Sequence, residues 1–151
     1  MTIARFLFFC PFFAVGFAFI SYGRYSLKMA NAVKRWPVVQ GVLNECRLVE
    51  DKEFDGPYNF YNVEVLYSYS VEDITYQASR IAFGYAATKN REVHQKIYDN
   101  LKKSNVVKIY HDPREPGISA LSADADRTWF LFGAIWTAAI TIMFLIVLFG
   151  G

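Results

Sequence analysis

The sequence predicts an α+β membrane protein in which two transmembrane helices flank a small antiparallel β domain, a sandwich or partly open barrel with one amphipathic helix. Three observations predict it. Two hydrophobic runs, Phe6 to Ile20 and Trp129 to Phe149, stand near the ends of the 151-residue chain, and each approaches the roughly 20 apolar residues that a helix needs to cross a bilayer. Between them Ala32 to Leu121 is polar and strand-rich, with the two-residue alternation of half-buried strands. Within it, one stretch changes to helical period. The domains that follow are 1–35, the first span with a basic neck; 36–122, the soluble β domain; and 123–151, the second span. A middle segment of about 90 residues has room for a single core.

The first run carries Arg5 near its start and no further charge until Arg24. A cleaved signal peptide is the competing reading, because Gly16 and Ala18 have the small-x-small spacing of a cleavage site. The apolar run continues past Ala18 through Phe19, Ile20 and Tyr22, and the length counted from Ile3 favours an uncleaved anchor with Arg5 snorkelling to the interface. Gly23 to Arg35 continues as a helix whose Arg24, Lys28, Lys34 and Arg35 suit anionic headgroups; a solvated neck is the plainer alternative. Trp36-Pro37 ends it, since proline lacks a donor and restricts the residue before it.

Val38 to Val49 reads as the first strand, with Gly41 as a bulge or a point of close approach. Glu50 to Pro57 gathers Glu50, Asp51, Glu53 and Asp55, yet lacks the ligand spacing of a calcium loop and reads as a solvated turn. Tyr61, Val63, Val65, Tyr67, Tyr69 and Val71 alternate with polar residues and define the second strand. With Glu72-Asp73 as a two-residue turn, Tyr69 faces Tyr76 and Tyr67 faces Ala78 on a third strand running from Ile74 to about Phe83. The switch of apolar positions to Ile81 and Phe83 then calls for a bulge near Arg80.

Thr88 to Lys103 has Val93, Ile97 and Leu101 four apart, flanked by His94 and Tyr98, with Glu92–Lys96 and Asp99–Lys103 as pairs on the wet side. Val106 to Tyr110 is a short strand ending in the turn His111 to Gly117, and Ile118 to Leu121 forms one more. Ser122 to Asp126 offers a cap for the second span. Trp129 sits where interfacial aromatics gather. Gly133, Ala134, Thr137, Ala138 and Thr141 on that span, and Ala14 and Ala18 on the first, give each a small-residue side for close helix packing; a homodimer uses the same faces equally well.

With these pieces in place the chain resembles the bacterial membrane-protein family known as domain of unknown function 3592. The residues that carry the resemblance are Trp36-Pro37-Val38-Val39-Gln40-Gly41-Val42, the tyrosine-rich hairpin Tyr61 to Ala78 and Val107 to Pro113 followed by Pro116 and Leu121. It departs from the pattern at Glu72-Asp73, where a glycine is usual, and at Ser104-Asn105, where a proline or glycine turn is common. The resemblance implies a membrane-tethered small β domain and names no activity; with the two spans, the expected place is a bacterial inner membrane, crossed more than once. Its motif residues Trp36, Pro37, Gly41, Tyr67, Tyr69, Tyr76, Tyr110, Asp112, Pro113 and Pro116 read as structural.

The composition narrows function by exclusion. Sixteen lysines and arginines against 14 acidic residues give no clustered positive field, so no nucleic-acid partner is expected. Cys10 and Cys46 form neither a disulfide framework nor a zinc cluster. Only His94 and His111 could serve as catalytic histidines, and neither stands in a nucleophile motif. His111-Asp112 is the sole motive for a membrane-proximal hydrolase, and the adjacent prolines favour a turn with Asp112 bonded to local backbone. No phosphate loop or cofactor fingerprint occurs, so the expectation is a protein without catalytic, cofactor or metal residues. It is a non-enzymatic binding or scaffold module on the lipid bilayer, engaging a protein partner or another copy of itself. An immunity or stress-accessory protein against a membrane-active toxin is the alternative. Arg24, Lys28, Lys34, Arg35 and Arg127 on the domain side, against Arg5 on the tail side, place the β domain in the cytoplasm.

Overall fold

The computed structural model describes residues 2–51, 59–124 and 128–149. The chain forms two compact units, Met1–Met29 with Asp126–Gly151, and Ala30–Ala125.

In the first unit α1 (Thr2–Val33) contributes most of its length and α3 (Thr128–Phe149) runs antiparallel to it. Phe9 meets Phe144 edge-on with ring centroids 5.3 Å apart, and Gly16 faces Thr137, Gly133 faces Ile20 and Gly23 faces Phe130. Steps of seven, four and three residues along α1 therefore match the same steps along α3. Both helices keep one seam in contact, as knobs-into-holes packing requires. A Cβ on Gly133 would lie 2.8 Å from the Ile20 backbone nitrogen, so glycine sets the closeness of the pair. Trp136 secures it by donating Nε1–H to the Phe12 carbonyl at 3.1 Å. The expected faces need correction on α1: Ala14 and Ala18 are exposed, and Gly16 and Gly23 fill the seam instead. On α3, Gly133 is in the seam while Ala138 and Thr141 are exposed. Pro11 lies inside α1 without ending it. Among the described residues α3 is the one helix long and apolar enough to cross a membrane, over Phe130–Val147.

The second unit is α+β. A single open antiparallel sheet has the order β3-β2-β1-β4-β5, where β1 is Val38–Asp51, β2 Phe60–Val71, β3 Ile74–Ala78, β4 Val106–His111 and β5 Ser119–Ala120. This corrects the expected sandwich or partly open barrel: one face is covered by α2 (Arg91–Lys102), packed on β1 and β2, and the other is uncovered among the described residues of this unit, with Glu64, Ser70 and Lys108 beside the exposed Val38, Val42 and Val106. The core is Leu43, Cys46, Val63, Val65, Tyr67, Tyr69, Ile81, Val107 and Ile109.

The hairpin register follows the alternation, with Tyr69 opposite Tyr76 and Tyr67 opposite Ala78. Glu72 and Asp73 both take positive φ, 51° and 65°, the geometry of the mirror-image turn that matches strand twist. Gly41 is a close-approach point, since a Cβ there would strike the Ser68 carbonyl and the Ile109 side chain. The bulge of β1 lies at Asn44 instead, between the pairs Leu43–Tyr67 and Glu45–Leu66. Before it odd residues face the core; after it Cys46 and Leu48 do.

Two further expectations are corrected. β3 ends at Ala78, so Arg80 is not a bulge; the chain leaves the sheet, Arg80 stacks its guanidinium 4.5 Å over Phe83, and Ile81 and Phe83 are buried from a loop. On α2 the inward residue of the first turn is His94, while Val93 is 48% exposed. Asp99 accepts from Gln95 and Lys103 donates to Asn100, partners other than the pairs expected. The acidic stretch from 52 to 58, the Asp126 cap and the side chain of Trp129 lie outside the described residues.

Candidate functional site

The β1–β2 hairpin is longer than its neighbours on both sides. β3 covers β2 only from Tyr67 to Val71, and the chain returns to β2 once more, where Tyr61 and Thr88 exchange both backbone hydrogen bonds at 2.8 and 3.0 Å. In an antiparallel ladder, backbone groups of alternate residues point to the same side. Tyr61 and Tyr67 both bond outwards from β1, so Val63 and Val65 point into the gap between them. The Val63 N–H donates to the Tyr85 hydroxyl at 2.9 Å. Among the described residues no strand is paired opposite Val65.

The gap is a cleft of about 470 Å³. Its inner wall is Val63, Val65, Ile81 and Tyr85, and its outer rim is Glu45, Arg47, Asn62 and Glu64, with Ser79 and Ala86 across from β2. Arg47 bridges Glu45 at 3.6 Å and Glu64 at 3.5 Å, so one guanidinium is shared by two carboxylates. These pairs are more than half exposed and hold the rim loosely. Asn62 Oδ1 is buried and has no hydrogen-bond partner, an uncommon state for a buried acceptor.

Beneath the cleft a polar network fixes the loop that forms its far side. Tyr85 Oη lies 2.8 Å from His94 Nδ1, and Thr88 Oγ1 lies 2.8 Å from His94 Nε2. Because Tyr85 already accepts the Val63 N–H, its own proton goes to Nδ1, which puts the ring proton on Nε2 and directs it to Thr88. Burial holds the His94 pKa below its ordinary value and pushes that of Tyr85 up, so both stay neutral. Asn90 caps α2 by accepting the Val93 N–H.

The ten motif residues lie elsewhere, and none lines the cleft. Trp36 packs edge-on against Phe83 at 6.0 Å, and the Pro37 carbonyl accepts the His111 N–H. Tyr67 is fully buried, donates to the Arg80 carbonyl and accepts from Ser119, each at 3.0 Å. Tyr69 stacks on Tyr76 and on His111 and donates to the Pro116 carbonyl. Burial raises the pKa of both Tyr67 and Tyr69. Tyr110 pairs with Val38 and Ala120. Asp112 accepts the Arg114 N–H at 2.9 Å, while Pro113 is exposed in the turn. His111 is buried, with Nδ1 3.3 Å from the Asp112 carbonyl and not engaged with its carboxylate.

Reasoning from sequence missed Asn62, Ser79, Tyr85 and Thr88, and gave His94 only a flanking place. The one available signal was a histidine at a helical position that the apolar period leaves inside.

A family model described as Domain of unknown function (DUF3592) matches residues 39–126. Nothing matches among curated proteins or among solved structures. The matched stretch is more than half of the chain and contains every strand but the first residue of β1, and the chain belongs to the DUF3592 family.

Proposed function

We propose that this protein is a non-enzymatic binding module anchored in a bacterial inner membrane by two helices, α1 and α3, and that it engages a protein partner at the cleft beside β2. The cleft carries this reading: it opens beside β2 where Val65, itself only 5% exposed, has no strand partner on that side among the described residues, and an unpaired strand edge is the usual means by which a sheet recruits another chain. Membrane anchoring is supported by the apolar outer surface of the helix pair, where Phe8, Phe17, Ile135 and Ile146 are each more than 60% exposed, an exposure suited to lipid and not to water. The exposed Arg24, Lys28, Lys34 and Arg35 favour the cytoplasmic side for the domain.

A photo-crosslinking residue at Ser79, compared with one at Lys108 on the opposite part of the sheet, tests the module in cells. A discrete adduct at Ser79, suppressed when Glu64→Lys is added, is expected; equal adducts at both positions would overturn the reading. Extraction by alkaline carbonate without detergent would overturn the two anchors. Labelling of Lys96→Cys in intact cells by an impermeant thiol reagent would overturn the cytoplasmic placement.

A further inference from the structure

We infer that the cleft takes an extended peptide as an added strand, with a small apolar residue opposite Val65 and a lysine or arginine beside it. This rests on the binding-module reading and names the chemistry of its ligand. An N–H and a C=O of one residue, offered together along an extended edge, are satisfied in full by another extended backbone. The pairs Tyr61–Thr88 and Tyr67–Ala78 close the edge at both ends. Six residues at about 3.4 Å each leave roughly 20 Å between them, so the slot admits a short strand. It cannot extend into a longer sheet.

Alternation then assigns the side chains. The ligand residue paired with Val65 projects to the inner side, against Ile81 and Tyr85, where only a small apolar group fits the wall chemistry. Its two neighbours project to the outer side, one opposite Leu66 and the other opposite Glu64, with Asn62 diagonal to the latter. There two carboxylates share Arg47, leaving one negative charge in excess, and the buried Asn62 Oδ1 lacks a donor. A cationic donor on the ligand satisfies both demands.

The test uses the full chain in detergent micelles and acetyl-Lys-Val-Lys-amide, whose three residues face Leu66, Val65 and Glu64 and stop short of the Tyr67–Ala78 pair, followed by amide chemical shifts and hydrogen exchange. The expected result is slowed exchange at Val65, with binding weakened at least tenfold when both lysines of the peptide are glutamate, or when its valine nitrogen is methylated. Glu64→Lys should weaken binding five- to tenfold, and Ser79→Trp, at an exposed position, should abolish it without unfolding. Equal binding of the lysine and glutamate peptides, indifference to methylation, or no binding would overturn the inference. So would exchange protection confined to Cys46 and Leu48 on the free edge of β1. If no peptide binds while the Ser79 adduct still forms in cells, the ligand class fails and the binding module stands; loss of both removes both.

Discussion

His94 and Tyr85 hold each other across the loop and helix that back the cleft, Nδ1 to Oη at 2.8 Å, with Thr88 closing the other ring nitrogen. The arrangement suits a neutral imidazole only. A second ring proton would aim a donor at a hydroxyl that already accepts from Val63 and would strand the tyrosine proton.

Stability should therefore depend on pH in a defined direction. The folded pKa of His94 is lowered relative to an unfolded value of about 6.5, so the unfolded chain binds the proton more readily. The contribution is complete above that unfolded value and is lost as pH falls through the lower folded one. Thermal midpoints of the detergent-solubilised chain at pH 7.5 and 5.5 should show a drop that shrinks in His94→Gln. His94→Ala, which takes the acceptor from the Tyr85 O–H and a donor from Thr88 Oγ1 while each oxygen keeps its backbone donor, should cost about 1–2 kcal/mol at neutral pH.

Gly41 has the Ser68 carbonyl and the Ile109 side chain where a Cβ would be. Because one of these is backbone, the strands must part to make room. Gly41→Ala should destabilise the domain by about 1–3 kcal/mol, and Ile109→Val in the same chain should recover part of the loss, measured by urea denaturation.

The turn Glu72-Asp73 places two L-residues in left-handed geometry, where the backbone costs about 1–2 kcal/mol for an ordinary residue and less for aspartate. Replacing the pair by Asn-Gly should raise stability by about 1 kcal/mol. The amide spectrum of β2 and β3 should otherwise be unchanged.

The helix seam is open to the opposite manipulation. Gly133→Leu would push side-chain atoms into the Ile20 backbone and force α1 and α3 apart. In a chain with Cys10 and Cys46 replaced by serine, a cysteine pair at Phe13 and Ile140, which face each other by the common step of the two helices, should oxidise readily. Adding Gly133→Leu should slow that oxidation at least tenfold.

What the sequence made legible was whatever depends on neighbours along the chain. Alternation from Tyr61 to Val71, joined to a two-residue turn, is enough to pair Tyr69 with Tyr76 without any tertiary information. The end of β3 is a different matter. Nothing local to Ala78 says that the next residues abandon the strand; they do so because Ile81 and Tyr85 find burial from a loop and Thr88 finds β2 again. The phase of α2 was misjudged for a related reason: Val93 is the more apolar residue, but His94 gains two hydrogen-bond partners supplied by that loop. The first helix likewise offers alanines and glycines on different faces, and only the partner helix decides that Gly16 and Gly23 meet it. The cleft was invisible in the sequence because it consists of an interruption in pairing between distant segments.

The unpaired Asn44 implies a tolerance seldom found in the middle of a long strand. Leu43 is paired with Tyr67 and Glu45 with Leu66, so excising Asn44 would join two stretches already in step, and Cys46 and Leu48 would keep their orientation. A chain one residue shorter here should still fold with the same interior, losing only the exposed hydrogen bond that Asn44 Nδ2 donates to Ser68 Oγ.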